Sequence, residues 1–461
     1  MQIEKGIDKI VKTIRLLILD QPGYLGRVAT AVGNAGGNIT DLHLVSYGLE
    51  YNTRDLTIFL DDEAQLQSVL EELGHVQGVI ISEIIDPVLE LHRGGKIQTK
   101  SRVSVDGISA VRKIYTPGVA KVCKLIEATP DLKYQYTSIG NTVAIVTNGT
   151  AILGLGDIGP VAGMPVMEGK AVLFDVLAGI NGVPILLNSK NSEDIVRTVA
   201  TIAPSFGAIQ LEDIKAPECF DIENKLSAML EIPVMHDDQH GTATVVLAAL
   251  LNATKYVGKP FKNDSVGIVG LGAAGMGIAK LLMAFGVRRM LGTDINPVTT
   301  QIFEKAGGVP MSLEQLMQSA DIIISVTGVP GLVKPSMIHK GQIILALSNP
   351  RPEISPDDAR GAGASFAADG RSVNNALAFP GIFRGALNAR ARAICNRMKI
   401  AAARTIASFA TTGELVPSIL NQDMHKAVAQ AVERAAFESG MARACNPDLP
   451  ENCPICARRS H

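Results

Sequence analysis

Net charge is almost absent from this chain. Its 43 lysines and arginines stand against 45 aspartates and glutamates, leaving −2 over 461 residues. That balance argues against nucleic acid or an anionic membrane as the main partner, since both select a basic surface. Long apolar runs are missing too. No uninterrupted stretch could span a bilayer, and Met1-Gln2-Ile3-Glu4-Lys5 has no apolar signal core. Cysteine is scarce: Cys123, Cys219 and Cys395 are scattered through expected domain interiors. Such spacing suits reduced thiols and a cytoplasmic location rather than a disulfide framework. Cys445, Cys453 and Cys456 cluster near the C-terminus. A lone CxxC with one further cysteine falls short of the two paired motifs of a zinc site, so residues 441–461 read as a tail. Internal repeats and low-complexity stretches are also missing.

What is present is apolar and turn-rich. A hydrophobic content of 47% with 44 glycines suits large α/β cores joined by tight turns. The length implies two or three domains. The first runs to about Leu91, with strands at 14–19, 38–47, 55–60 and 79–86 and helices at 25–35 and 63–73. That βαββαβ order is the ferredoxin-like plait. The polar, glycine-containing run from Leu91 to Lys96 reads as a linker. An α/β block over 92–240 and a dinucleotide-binding unit over 241–440, ending in alanine-rich helices, are expected to follow.

Two acid doublets carry the chemistry. Glu212-Asp213 follows the apolar run Ala208–Leu211, and Asp237-Asp238 follows Ile232–Met235. Both runs read as strands, and ligand sites in open α/β sheets form beyond the carboxyl ends of strands. Each doublet alone could equally be the first turn of a helix, where acids are favoured. Four carboxylates converging would repel one another unless a cation lay between them. An all-oxygen ligand set favours Mg2+ or Mn2+ over zinc. His236 and His240 flank the second doublet and are left out of the ligand set.

Next comes a glycine turn. Ser265–Val269 reads as a strand, Gly270, Gly272 and Gly275 form the turn, and Ala274–Phe285 reads as the helix behind it. Gly270 would make the turn, Gly272 admit the pyrophosphate and Gly275 allow close helix packing, with Ala273 and Ala274 at the helix start. Asp294 ends the next expected strand. It would accept the ribose hydroxyls and repel a 2′-phosphate, so NAD is expected over NADP. Lys170 reads as the start of an apolar helix. There the helix dipole and a nearby cation would both push its pKa down, as a general base needs.

At this point the sequence resembles known families. Asp20-Gln-Pro-Gly-Tyr-Leu25 and Gly37-Asn-Ile39 resemble the ACT family of regulatory modules. Gly23 permits a tight turn, and the helix N-terminus behind it would suit a small carboxylate such as an amino-acid effector. The chain from about Ser104 to Gly440 resembles malic enzyme. The matching blocks are Tyr115-Thr-Pro-Gly-Val119, Ile152-Leu-Gly-Leu-Gly-Asp-Ile-Gly159, Met167-Glu-Gly-Lys-Ala171, Leu211-Glu-Asp213, Asp237-Asp-Gln-His-Gly-Thr-Ala243, Leu347-Ser-Asn-Pro350 and Asn374-Asn-Ala-Leu-Ala-Phe-Pro-Gly381.

That resemblance implies an NAD-linked, metal-dependent decarboxylation of malate to pyruvate. It makes Tyr115 the general acid and Lys170 the general base, with Asp237 tuning Lys170. It makes Glu212, Asp213 and Asp238 the metal ligands, Asn349 and Asn375 the malate-contacting amides, and Thr242 a neighbour of the nicotinamide. A homo-oligomer, dimer or tetramer, is implied. The larger members carry an arginine just before the Ile-Leu-Gly-Leu-Gly block; this chain has Ala151. A malolactic-type enzyme, releasing lactate without net redox change, and a non-catalytic metabolite sensor are the competing readings.

Overall fold

A computed structural model describes residues 9–444, apart from 153, 259 and 260. The clustered cysteines 445, 453 and 456 and the start of the chain lie outside those residues. Two compact units appear, Met1–Gln98 and Thr99–His461.

In the first unit, β1 (Ile10–Leu19), α1 (Tyr24–Asn34), β2 (Asn38–Ser46), β3 (Tyr51–Leu60), α2 (Glu63–Gly74) and β4 (Val79–Ile85) form an antiparallel sheet. The strand order is β2-β3-β1-β4, the ferredoxin-like plait. Period-two alternation explains the packing: Ile14, Leu16 and Ile18 bury on one face of β1 against Val28 and Val32 of α1 and Val69 and Leu73 of α2. Gly23 has φ +92° at the start of α1, a left-handed turn that glycine makes without strain. The expected linker begins inside a short helix, α3 (Pro87–His92), capped by Asp86.

The second unit opens with α4 (Ile108–Ile114), α5 (Val119–Ala128) and α6 (Lys133–Tyr136), none of which has a buried residue. Then come β5 (Thr142–Thr147), α7 (Met164–Ala178), β6 (Asn181–Leu186), α8 (Ser192–Ile202), β7 (Ala208–Leu211), α9 (Glu218–Met229) and β8 (Val234–His236). These strands pair in parallel in the order β6-β5-β7-β8. β5 is buried along its whole length, as its unbroken Val-Ala-Ile-Val run requires of a strand covered on both faces.

From β8 the chain passes directly into α10 (Asp237–Val257). That helix starts at the acid doublet and runs through residue 240, where a domain boundary was expected. Beyond it lie β9 (Ser265–Val269), α11 (Ala273–Phe285), β10 (Arg289–Thr293), α12 (Pro297–Lys305), β11 (Val309–Pro310), α13 (Leu313–Ser319), β12 (Ile322–Ser325), β13 (Ile343–Ala346), α14 (Pro356–Gly361) and β14 (Phe366–Asp369). Their parallel sheet has the order β11-β10-β9-β12-β13-β14. Counted from its first strand this is 3-2-1-4-5-6, the dinucleotide-binding arrangement, whose crevice opens between β9 and β12. Helices α15 (Phe379–Asn388), α16 (Asn396–Ser408) and α17 (Gln422–Glu438) close the unit. No helix among the described residues is long and apolar enough to cross a membrane.

Candidate active site

The two acid doublets meet because β7 and β8 are neighbouring parallel strands that end side by side, Leu211 opposite His236. Glu212, Asp213 and Asp238 each offer an oxygen, and these three oxygens lie within 4.8 Å of one another. The Asp213 N–H donates to Asp238 Oδ2 at 2.9 Å, and Gln210 Nε2 donates to Glu212 Oε2 at 2.6 Å. Asp213 adopts φ +52°, a left-handed conformation that costs a non-glycine residue energy and is found where function over-determines the backbone.

Burial raises all three carboxyls, and neighbouring carboxylates, Asp237 among them, add to it against the opposing pull of Lys170: Glu212 to about 7, Asp213 to about 9 and Asp238 to about 6. Asp213 Oδ2 is buried with no hydrogen-bond partner. An all-oxygen donor set, destabilised as anions and with one orphaned oxygen, fits a hard divalent cation.

Lys170 reaches this cluster from α7. Its Nζ donates to Asp237 Oδ2 at 2.6 Å, lies 3.0 Å from Glu212 Oε1 and sits 4.6 Å above the Phe379 ring. One part of the sequence expectation needs correction. Lys170 is not at the helix start, since α7 begins at Met164 with Pro165 in its first turn, so the helix dipole does not lower its pKa. In the metal-free cluster burial opposes the ammonium, but Asp237, Glu212 and Asp238 outweigh it and hold the group well above its ordinary value. Asp237 itself is raised to about 7, chiefly by burial. Gly241 makes room for it: a Cβ there would lie 1.9 Å from Asp237 Oδ1 and 3.3 Å from Asn375 Cβ. Asn375 therefore borders the Lys170–Asp237 pair.

The other expected residues are placed less uniformly. Asn349 follows β13, and its amide donates to the Gly370 carbonyl at 3.3 Å. Thr242 lies one helical turn beyond Asp238 on α10. Tyr115 caps the end of α4 with 70% of its surface exposed, and no hydrogen bond joins its side chain to the cluster among the described residues.

In the second sheet Gly270 has φ +94°, and a Cβ there would press on Val326 O at 2.9 Å, across the crevice between β9 and β12. A Cβ on Gly275 would meet Gly270 O at 1.8 Å, so the helix can approach the turn only as glycine. Nothing lies within 4 Å of the corresponding position on Gly272, which leaves the backbone open to a ligand. Ala273 and Ala274 form the first turn of α11. Asp294 follows β10 and accepts from the Leu271 N–H at 2.5 Å and the Asn296 N–H at 2.7 Å, which ties the glycine turn to the neighbouring strand end.

Sequence reasoning passed over Gln210 and Phe379. Gln210 precedes Glu212 by two residues on one strand run, a spacing that puts both on one face and could have flagged it. Phe379 lies inside the matching block Asn374–Gly381, but only the packing of α15 near α7 brings its ring to Lys170.

Comparison with known proteins gives matches along most of the chain. Residues 96–227 match the malic enzyme N-terminal domain, 355–437 the malic enzyme NAD-binding domain and 9–81 the ACT domain. Residues 227–330, which hold the glycine turn, match the NAD-binding domain of D-isomer specific 2-hydroxyacid dehydrogenases. NAD-dependent malic enzyme 1 of Bacillus subtilis is 52% identical over 93% of this chain and 98% of its own length. The bifunctional malic/malolactic enzyme of the same organism is 45% identical over 78% of this chain and 94% of its own. The crystal structure of malic enzyme from Pyrococcus horikoshii superposes with a TM-score of 0.73 at 40% identity, covering 78% of this chain and 92% of that one.

Proposed function

The chain belongs to the malic enzyme family, and from that premise we propose that it oxidises and decarboxylates (S)-malate to pyruvate and CO2 with NAD as hydride acceptor. The observation that carries the reading is the buried meeting of Lys170 and Asp237 beside the three-carboxylate cluster. Glu212, Asp213 and Asp238 are the residues that would hold Mg2+ or Mn2+. Such an ion supplies Lewis-acid stabilisation of the negative charge that develops on the substrate oxygen.

Lys170 takes the proton of the C2 hydroxyl as hydride leaves C2. Its high proton affinity in the metal-free cluster comes from Asp237, Glu212 and Asp238. A divalent cation held by Glu212, Asp213 and Asp238 would offset the charge of those ligands and so favour the neutral amine that a base requires. Asp237 aligns Lys170 and receives the positive charge. Phe379 excludes water from the ammonium and lends its ring face. After C4 leaves as CO2, Tyr115 donates the proton to C3. Asn349 and Asn375 bind substrate carboxylates as neutral donors. Gly270, Gly272 and Gly275, with the first turn of α11, hold the pyrophosphate, Asp294 the adenosine ribose, and Thr242 borders the nicotinamide.

Tyr115 is exposed, as are Ile108, Ile114 and Leu125 on α4 and α5. That apolar surface supports a homo-oligomer in which these helices are covered. The ACT domain, up to about Leu91, is read as the site of a small-metabolite effector, with Gly23 and the N-terminus of α1 facing the ligand. Free Cys123, Cys219 and Cys395 support a reducing, cytoplasmic setting. A malolactic reaction is the second reading, favoured by the relative named for both activities. Malate-dependent NAD reduction that disappears on chelation and returns with Mn2+ tests the main one.

A further inference from the structure

Glu223 is a buried carboxylate that the chemistry above leaves unused. It projects from α9 with 8% of its surface exposed. Its Oε1 accepts the His236 backbone N–H at 2.8 Å, and its Oε2 accepts Gln239 Nε2 at 3.0 Å and faces His240 Nε2 at 3.1 Å. The other nitrogen of His240, Nδ1, lies 3.1 Å from Nζ of Lys399, a residue of α16 with 6% exposure. An ammonium can only donate, so Nδ1 accepts and Nε2 carries the proton toward Glu223. A buried anion, a neutral imidazole and a buried cation thus run in line through α9, α10 and α16.

All three groups that Glu223 engages belong to the stretch 236–240. Within it lie Asp237, which meets Lys170, and Asp238, which meets the Asp213 N–H. His236 is N-cap of α10 yet makes no side-chain cap, so the helix start is held from outside.

We propose that Glu223, its charge balanced through His240 by Lys399, is a positioning residue that fixes the first turn of α10 in the orientation the metal-binding and base-orienting aspartates require. The inference rests on the reading of Glu212, Asp213 and Asp238 as metal ligands. It explains two buried charges, in α9 and α16, that stand outside the metal-ligand and base set described above. A buried charge without its partner is costly, so the two are expected to act as a unit.

The test is Mn2+ binding to the full-length protein without substrate, followed by isothermal titration calorimetry. Glu223→Gln keeps the shape but turns an NH2 toward donors, and is expected to weaken Mn2+ binding about 10–100-fold, as loss of groups that orient metal ligands typically does. Its kcat should fall while KM for NAD stays at the wild-type value. Lys399→Met should also weaken Mn2+ binding. The double variant should bind more tightly than Glu223→Gln alone, because without the lysine the imidazole can switch tautomer and accept from the new amide. Wild-type Mn2+ affinity in folded Glu223→Gln, or losses that simply add in the double variant, overturn the proposal. If Glu223→Gln does not fold, the double variant must fold and bind Mn2+, and its failure counts against the pairing. A wild-type protein that binds no Mn2+ overturns the metal reading itself, a result distinct from wild-type binding with unchanged variants.

Discussion

Lys170 Nζ stands 2.6 Å from Asp237 Oδ2, with Lys170 nearly and Asp237 wholly out of water. Removing Lys170 leaves Asp237 buried without its cation, whereas Lys170 without Asp237 keeps Glu212 at 3.0 Å, so the proposed base pair is also structural. Lys170→Ala is expected to lower the rate of malate oxidation by about 10²–10⁴-fold, the usual worth of a general base. Steady-state kcat measures it. Asp237→Asn should lower kcat with little change in KM for malate, since it orients the base without touching substrate. A Lys170→Ala enzyme with wild-type kcat removes the lysine from the mechanism.

Metal binding should release protons. Metal-free Asp213, Glu212 and Asp238 are raised to about 9, 7 and 6, so around neutral pH the cluster holds protons that a cation must displace. Carboxyls raised on folding stabilise the native state at low pH, and that contribution shrinks as pH climbs from the unfolded value toward the folded one. The metal-free protein should therefore lose stability between about pH 4 and 9, with 4 the ordinary carboxyl value. The gain in Tm on adding Mn2+ should grow over the same range. Calorimetry in buffers of different ionisation enthalpy counts the protons; none released at pH 7 contradicts the assignment.

The glycine turn and the acid doublets were legible because each is announced locally. Ser265–Val269 and Ala208–Leu211 are strands over the spans their residues suggest, and the functional residues follow at their ends. Lys170 lies inside α7 because Pro165, a helix-start residue, marks where that helix begins. Its proton affinity in the metal-free cluster is not legible locally, since three carboxylates from two other segments set it. Glu223 and Lys399 were invisible as a pair because only the tertiary fold brings α9 and α16 to His240.

Tyr115→Phe should fail differently from Lys170→Ala. In the proposed mechanism the phenol protonates C3, so the variant should slow exchange of pyruvate methyl protons in deuterated water. NMR of pyruvate with enzyme and Mn2+ reads this directly. Exchange at the wild-type rate in Tyr115→Phe takes the acid role away from this residue.

Asp294→Ser should shift cofactor preference toward NADP, because the carboxylate that repels a 2′-phosphate is gone. The change also loosens the acceptors that tie Leu271 and Asn296, so KM for NAD should rise. The ratio of kcat/KM for the two cofactors is the readout. A wild-type enzyme that already prefers NADP contradicts the role given to Asp294.

The central claim is oxidation coupled to decarboxylation at the Lys170–Asp237 site. Malate, Mn2+ and NAD or NADP mixed with the full-length protein, with reduced cofactor followed by absorbance and products by NMR, test it most directly. Pyruvate formed in equal amount with NADH, and faster with NAD than with NADP, is the expected result. Lactate without net cofactor reduction, or no product from malate at all, contradicts it.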